Sequence, residues 1–157
     1  MLKDEIATGF TIESISFMRD ESFSTSDANN FSIYFALSDS DQLTDVFDDN
    51  YIPGTQQQVL LTDVFDLEGE PGDWITFELD TPFYYSNSHN LLIETFNPEG
   101  DCYTSVYGCA TTYYRSLCNF YGEDEGDLYT QIPHMMLEGS QSLENSTFGA
   151  VKIILGR

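Results

Sequence analysis

Acidic side chains gather in short, turn-rich stretches of this chain, and carboxylates at such spacing can hold a hard cation. "DSDQLTD" supplies Asp39, Asp41 and Asp45, and the overlapping "DVFDDN" adds Asp48 and Asp49. Calcium takes about six to eight oxygens converging from flexible loops. Asp39, Asp41, Asp45, Asp48 and Asp49 are therefore the candidate calcium ligands. A second cluster, "EDEGD", places Glu123, Asp124, Glu125 and Asp127 together. Neither stretch has the glycine and terminal glutamate of an EF-hand loop. Solvated surface charge is the competing reading.

The aromatic residues offer a different chemistry. Sugar rings stack on aromatic faces while Asp and Asn oxygens orient the hydroxyls. Trp74, Tyr84, Tyr85, Tyr113 and Tyr114 are the candidates for such a surface. Trp74, the sole tryptophan, alternates to the face opposite Ile75 and Phe77 in "WITFEL". The competing role is packing, with Phe83 and either Tyr84 or Tyr85 covering one end of a core.

Cys102, Cys109 and Cys118 fall in a region that reads as a hairpin. A turn near residues 108–110 would bring Cys102 and Cys118 together across its open end and leave Cys109 at the tip. A Cys102–Cys118 disulfide would suit an exported protein; three reduced thiols are the alternative. Catalysis has little to rest on. The chain contains no G-x-S-x-G, H-E-x-x-H, P-loop or dinucleotide fingerprint, and nothing places His89 or His134 beside a nucleophile. A non-enzymatic role is expected.

These residues must be positioned by strands, because nearly every patterned segment has a period close to two. "FSIYFAL" sends Phe31, Ile33, Phe35 and Leu37 to one face and Ser32, Tyr34 and Ala36 to the other. "TIESISF" changes phase between Ile12 and Ile15, which predicts a bulge. Further strands are predicted at 59–65, 91–96, 103–107, 111–117, 134–137 and 151–155. In "LDTPFYY", Pro82 cannot donate a ladder hydrogen bond, so it belongs between strands or at an edge, and the segment reads as a strand leaving its sheet to enter a corner. "DQLTDVFDDN" can form a helical turn or two with Leu43, Val46 and Phe47 packed inward. Short strands separated by turns predict an all-β antiparallel sandwich of jelly-roll type. Residues 1–139 form this domain, and residues 140–157 supply a polar linker and a C-terminal edge or donor strand.

The chain has 157 residues, with 27 Asp and Glu against 5 Lys and Arg, for a net charge of −22. Such a surface repels phosphate backbones and anionic headgroups, which argues against nucleic acid. No apolar run approaches the roughly 18 residues of a membrane-spanning helix. The first residues, "MLKDEIATGF", have neither the basic start nor the apolar stretch of a signal peptide. Any such segment is expected to be absent from this chain.

From Gly72 to Phe96, "GDWITFELDTPFYYSNSHNLLIETF" resembles a recurring module of secreted, surface-associated bacterial proteins. The shared pattern is W-x-x-I/F-x-L-x-x-PF-x-Y, a short polar turn, then N-L-L/I-I-E. It falls here on Trp74, Phe77, Leu79, Pro82, Phe83, Tyr85 and Asn90 to Glu94. "TIESISF", "NFSIYFAL" and "YYRSL" resemble other strands of that module, and the likeness spans roughly residues 5–137. It implies a β-sandwich without catalytic residues, extracellular placement and a non-enzymatic role; with the aromatic candidates above, the expected function is carbohydrate recognition or adhesion. The module's first edge strand has no counterpart here, and the segment ending in "VKIIL" lies beyond the likeness. Val151, Ile153 and Leu155 could complete the chain's own sheet edge. They could instead pair with a neighbouring copy, making this a filament subunit assembled by donor-strand complementation.

Overall fold

A computed structural model describes residues 1–6, 8–20, 28–65, 69–98, 106–119 and 122–141. Within them the chain is antiparallel β throughout, joined by two 3-10 turns, Lys3–Glu5 and Phe47–Asn50. The strands are β1 (Phe10–Met18), β2 (Ala28–Ser38), β3 (Gln57–Phe65), β4 (Trp74–Tyr85) and β5 (Asn90–Phe96). The short strands β6 (Gly108–Ala110), β7 (Ser116–Cys118), β8 (Asp127–Tyr129) and β9 (Gln131–Pro133) follow, then β10 (Met135–Ser140). No helix among the described residues is long and apolar enough to cross a membrane.

One three-stranded sheet has the order β10-β1-β4 and a second has β3-β2-β5. Both turn their apolar phase toward a common core. Ile12, Ile15, Phe17, Ile75, Phe77 and Leu137 from the first meet Ile33, Phe35, Val59 and Leu91 from the second. Two ring contacts tie the sheets together. Phe31 stacks on Phe77 with centroids 5.1 Å apart, and Phe35 meets Phe83 edge-on at 5.5 Å.

The phase change in "TIESISF" is a bulge. Against β10, Ile12 pairs with Gly139 and Ser14 with Glu138, so Glu13 is the extra residue. The fit is close at Gly139, where a Cβ would run into the Thr11 carbonyl. Against β4 the excess lies on the other side. Ile12 opposes Phe83 and Ser14 opposes Glu78, so five steps of β4 answer two of β1. Pro82 sits in this bulge, outside the paired register. The proline lies on an edge strand, as expected, but the strand does not leave its sheet for a corner, because the bulge absorbs the proline and pairing resumes at Phe83. Asp80, carried out by the same bulge, accepts the Leu61 N–H of β3 at 2.9 Å.

Two further expectations are corrected. Residues 108–110 are not a turn: β6 pairs with β9, Cys109 facing Ile132. The ladder then resumes as β7–β8, with Leu117 facing Leu128. Residues 111–115, predicted to be strand, form an excursion between these two ladders. Thr111 N–H to Thr130 O (2.7 Å) and Arg115 N–H to Tyr129 O (3.1 Å) hold its ends. The sequence hid this because the partner strand lies downstream in "DLYTQIP". The second face of β2 is covered in part. Ser32, Ala36 and Ser38 are buried, and the segment after β2 is tied back across that end of the strand. Ile52 N–H donates to Leu37 O at 2.8 Å, and Leu37 N–H to Thr55 Oγ1 at 3.1 Å.

β10 runs through Ser140, across the boundary expected at residue 139. The donor-strand residues Val151, Ile153 and Leu155 lie outside the described residues, as does Cys102. Cys109 and Cys118 are exposed free thiols.

Candidate functional site

The aromatic candidates do not form one platform. Trp74 and Tyr84 are exposed on the outward face of β4, but they pair with Met18 and Thr11 near opposite ends of β1, which keeps them far apart. Tyr85 is fully buried. Its hydroxyl donates to the His89 carbonyl at 2.6 Å, and burial raises its pKa. It cannot present a ring to a ligand, because the alternation that exposes Tyr84 turns its neighbour into the core. Tyr113 and Tyr114 are exposed on the 111–115 excursion.

The five candidate calcium ligands also separate. Asp39 accepts from His89 Nδ1 at 2.7 Å, Asp41 from Asn90 Nδ2 at 2.9 Å, and Asp48 from the Tyr51 hydroxyl at 2.8 Å. Asp45 contributes its carbonyl to Gly126 N–H at 2.8 Å, and Asp49 is exposed. Among the described residues, no three Asp, Glu, His or Cys side chains are grouped so as to hold a metal ion. The carboxylates are spread along a connector that ends in the Phe47–Asn50 3-10 turn, and three are turned to different protein donors.

What the fold does build is a groove along the outer face of β5. Leu92, Glu94 and Phe96 alternate onto this face, opposite Ala36, Tyr34 and Ser32 of β2. One wall is the connector with Leu43 and Phe47, which line this groove half-buried rather than filling the core. The other wall is the β7–β8 hairpin with Leu117.

The walls are stitched together by backbone. Leu43 N–H donates to Tyr114 O (2.8 Å), Phe47 N–H to Asp124 O (3.0 Å) and Gly126 N–H to Asp45 O (2.8 Å). Val46 and Glu125 form an isolated antiparallel bridge. Gly126 allows this close approach, since a Cβ there would come within 2.9 Å of the Cys118 carbonyl. Inside the connector, buried Asn50 takes the Thr44 N–H on Oδ1 (2.8 Å) and donates from Nδ2 to Thr44 O (3.1 Å) and Val46 O (2.7 Å). One carboxamide thereby satisfies several backbone groups that no ladder reaches.

The largest of three neighbouring recesses, open to solvent, has a volume of about 540 Å³ and lies between Phe47, Phe96 and Leu117, with Asp48, Glu94, Glu123 and Asp124 around it. That is within the roughly 300–1,000 Å³ typical of ligand sites. Smaller recesses of about 90 and 60 Å³ extend it along β5 past Leu92 to Asn90. No family model matches the chain, and neither a curated protein nor a solved structure matches it.

Electrostatics differ along the groove. Glu94 is half-buried, and burial holds its carboxyl above the ordinary value. The Gln56 Nε2 bond at 2.9 Å pulls the other way, and the charge of Asp48 adds to the rise. Tyr51 is also raised, chiefly by its bond to Asp48. At the far end, Arg115 grips Glu5 with two bonds of 2.7 Å and holds that carboxyl down to about 2. Around this pair, Met1 exchanges both backbone bonds with Leu91, and Lys3 N–H donates to Asn90 Oδ1 at 2.8 Å. Burial, helped by Arg115, lowers the Met1 ammonium to about 5.

Sequence reading found Asp48, Glu123, Asp124 and Tyr114 as candidates but missed Leu92, Glu94, Phe96, Phe47 and Leu117 as a set. The available signal was the alternation of "NLLIETF", which puts a carboxylate between two apolar residues on one face. An apolar floor with carboxylate and carboxamide edges can take a ligand that has one apolar face and several hydrogen-bond donors.

Proposed function

We propose that this protein is a non-catalytic recognition module, built as a jelly-roll sandwich, that works outside the cell and binds carbohydrate in the groove along β5. The observation that carries this is the open recess of about 540 Å³ over β5, where Phe47, Phe96 and Leu117 stand among hydrogen-bonding side chains. A sugar ring has an apolar face of C–H groups and a rim of hydroxyls, and aromatic floors with polar edges suit both. The sandwich reading is supported by two three-stranded sheets sharing one core. The extracellular, adhesive role is supported by the resemblance of the "WITFELDTPFYY…NLLIE" segment to surface modules. The net charge of −22 turns away anionic polymers, leaving neutral and cationic ones.

The test is titration calorimetry with neutral and amino-sugar oligosaccharides, using Phe47→Ala and Phe96→Ala beside Trp74→Ala and Tyr84→Ala. Groove binding predicts that the first two variants lose most of the affinity and the last two keep it. Loss in the β4 variants alone would move the site to the exposed face of β4 and end the groove reading. The oligosaccharide should be recovered uncleaved after prolonged incubation.

A further inference from the structure

Resting on that groove reading, we infer that the carbohydrate bound along β5 bears free cationic amines, as an unacetylated amino-sugar polymer does, and that Glu94 receives one of them. Leu92 and Phe96 flank Glu94 on the β5 floor of the groove, and Asp48, Glu123 and Asp124 stand around its largest recess. No Lys, Arg or His is among the described residues that line that cavity or the recess next to it. The complement of such a groove is an amphipathic cation.

Two glutamates show what a cation would change. Glu5 has an internal partner, since Arg115 meets both of its oxygens. Glu94 lies half-buried on the outer face of β5 with neutral Gln56 as its hydrogen-bond donor and Asp48 nearby. A partly desolvated carboxylate without a countercharge is raised in pKa, and an ammonium within hydrogen-bond reach reverses that cause. An amine on a sugar ring supplies the cation while its ring covers Phe47. A neutral sugar satisfies the floor but leaves the carboxylate as it is. Phosphate, sulfate or uronate groups would meet like charge around the largest recess.

The test compares two oligosaccharides of equal length and linkage, fully deacetylated glucosamine oligomers and their N-acetylated counterparts, with oligolysine as a third probe. The deacetylated oligomer should bind at least about tenfold more tightly than the acetylated one, the size expected of one charge-assisted hydrogen bond. That margin should shrink as salt is raised and vanish in Glu94→Gln. Asp48→Asn should reduce the margin too, which keeps the test decisive if one variant folds poorly. Asp63→Asn, an exposed acid on β3, should leave it intact. Equal affinity for both oligomers overturns the amine inference while leaving the carbohydrate reading in place, whereas binding of neither overturns the carbohydrate reading itself. Oligolysine binding as well as the deacetylated sugar, or equal loss in Asp63→Asn, reduces the effect to bulk charge and overturns the inference.

Discussion

Glu5 and Glu94 are the same side chain at two ends of one surface, and their surroundings push them in opposite directions. Glu5 is depressed to about 2 by Arg115. Its contribution to stability is therefore full above the ordinary carboxyl range and is lost as pH falls toward 2. The pair is partly exposed, so solvent screening limits it. Arg115→Gln should cost about 1 kcal/mol at neutral pH and flatten the acid limb of a stability-versus-pH curve. An unchanged acid limb would show that the pair contributes nothing. Glu94 has a raised folded pKa, so its favourable contribution holds below the ordinary value of 4.5 and disappears as pH rises through the raised one. Glu94→Gln should therefore raise the melting temperature at pH 7 and leave it nearly unchanged below pH 4. A variant less stable at both pH values would show that the carboxylate is structural.

At the scale of elements, the bulged strand and the laced connector have separate jobs. The β4 bulge places Pro82 outside the paired register and delivers Asp80 to the Leu61 N–H on β3. A carboxylate at that edge blunts it against pairing with another chain. Asp80→Ala should cost about 0.5–1.5 kcal/mol in urea denaturation and increase light scattering on concentration. If neither changes, the contact is incidental. The connector relies on Asn50, whose carboxamide is saturated by its own loop. Asn50→Ala leaves buried backbone groups without partners, at a cost of about 1–3 kcal/mol. It should weaken ligand binding although Asn50 is buried under the loop, because Phe47 and Asp48 lose their support. Native affinity in Asn50→Ala would mean that the connector plays no part in the site.

At the scale of the whole molecule, a net charge of −22 on 157 residues opposes compaction through self-repulsion. The Debye length falls from about 30 Å at 0.01 M salt to about 10 Å at 0.1 M, so added salt should raise the melting temperature appreciably over that range. The described acids do not converge in threes, so calcium should act only through ionic strength. Matched calcium, magnesium and sodium solutions should then give the same melting temperature. A gain specific to calcium would restore an ion site.

Alternation along the chain determined by itself that this is an antiparallel β protein, that Phe31, Ile33, Phe35, Ile75 and Phe77 face inward, and that β1 is bulged near Ile12. These follow from local geometry, because successive side chains on a strand must point to opposite faces. Tertiary structure alone decided what covers the second face. Ala36 and Ser32 lie on the face opposite Ile33 and Phe35 and are buried too, and Leu92, Glu94 and Phe96 line a groove only because residues 43–51 and the β7–β8 hairpin close over them. Pairings such as Val46 with Glu125 bring together residues far apart in sequence. A period of two assigns a residue to a face, but it carries no information about which distant segment will pack there.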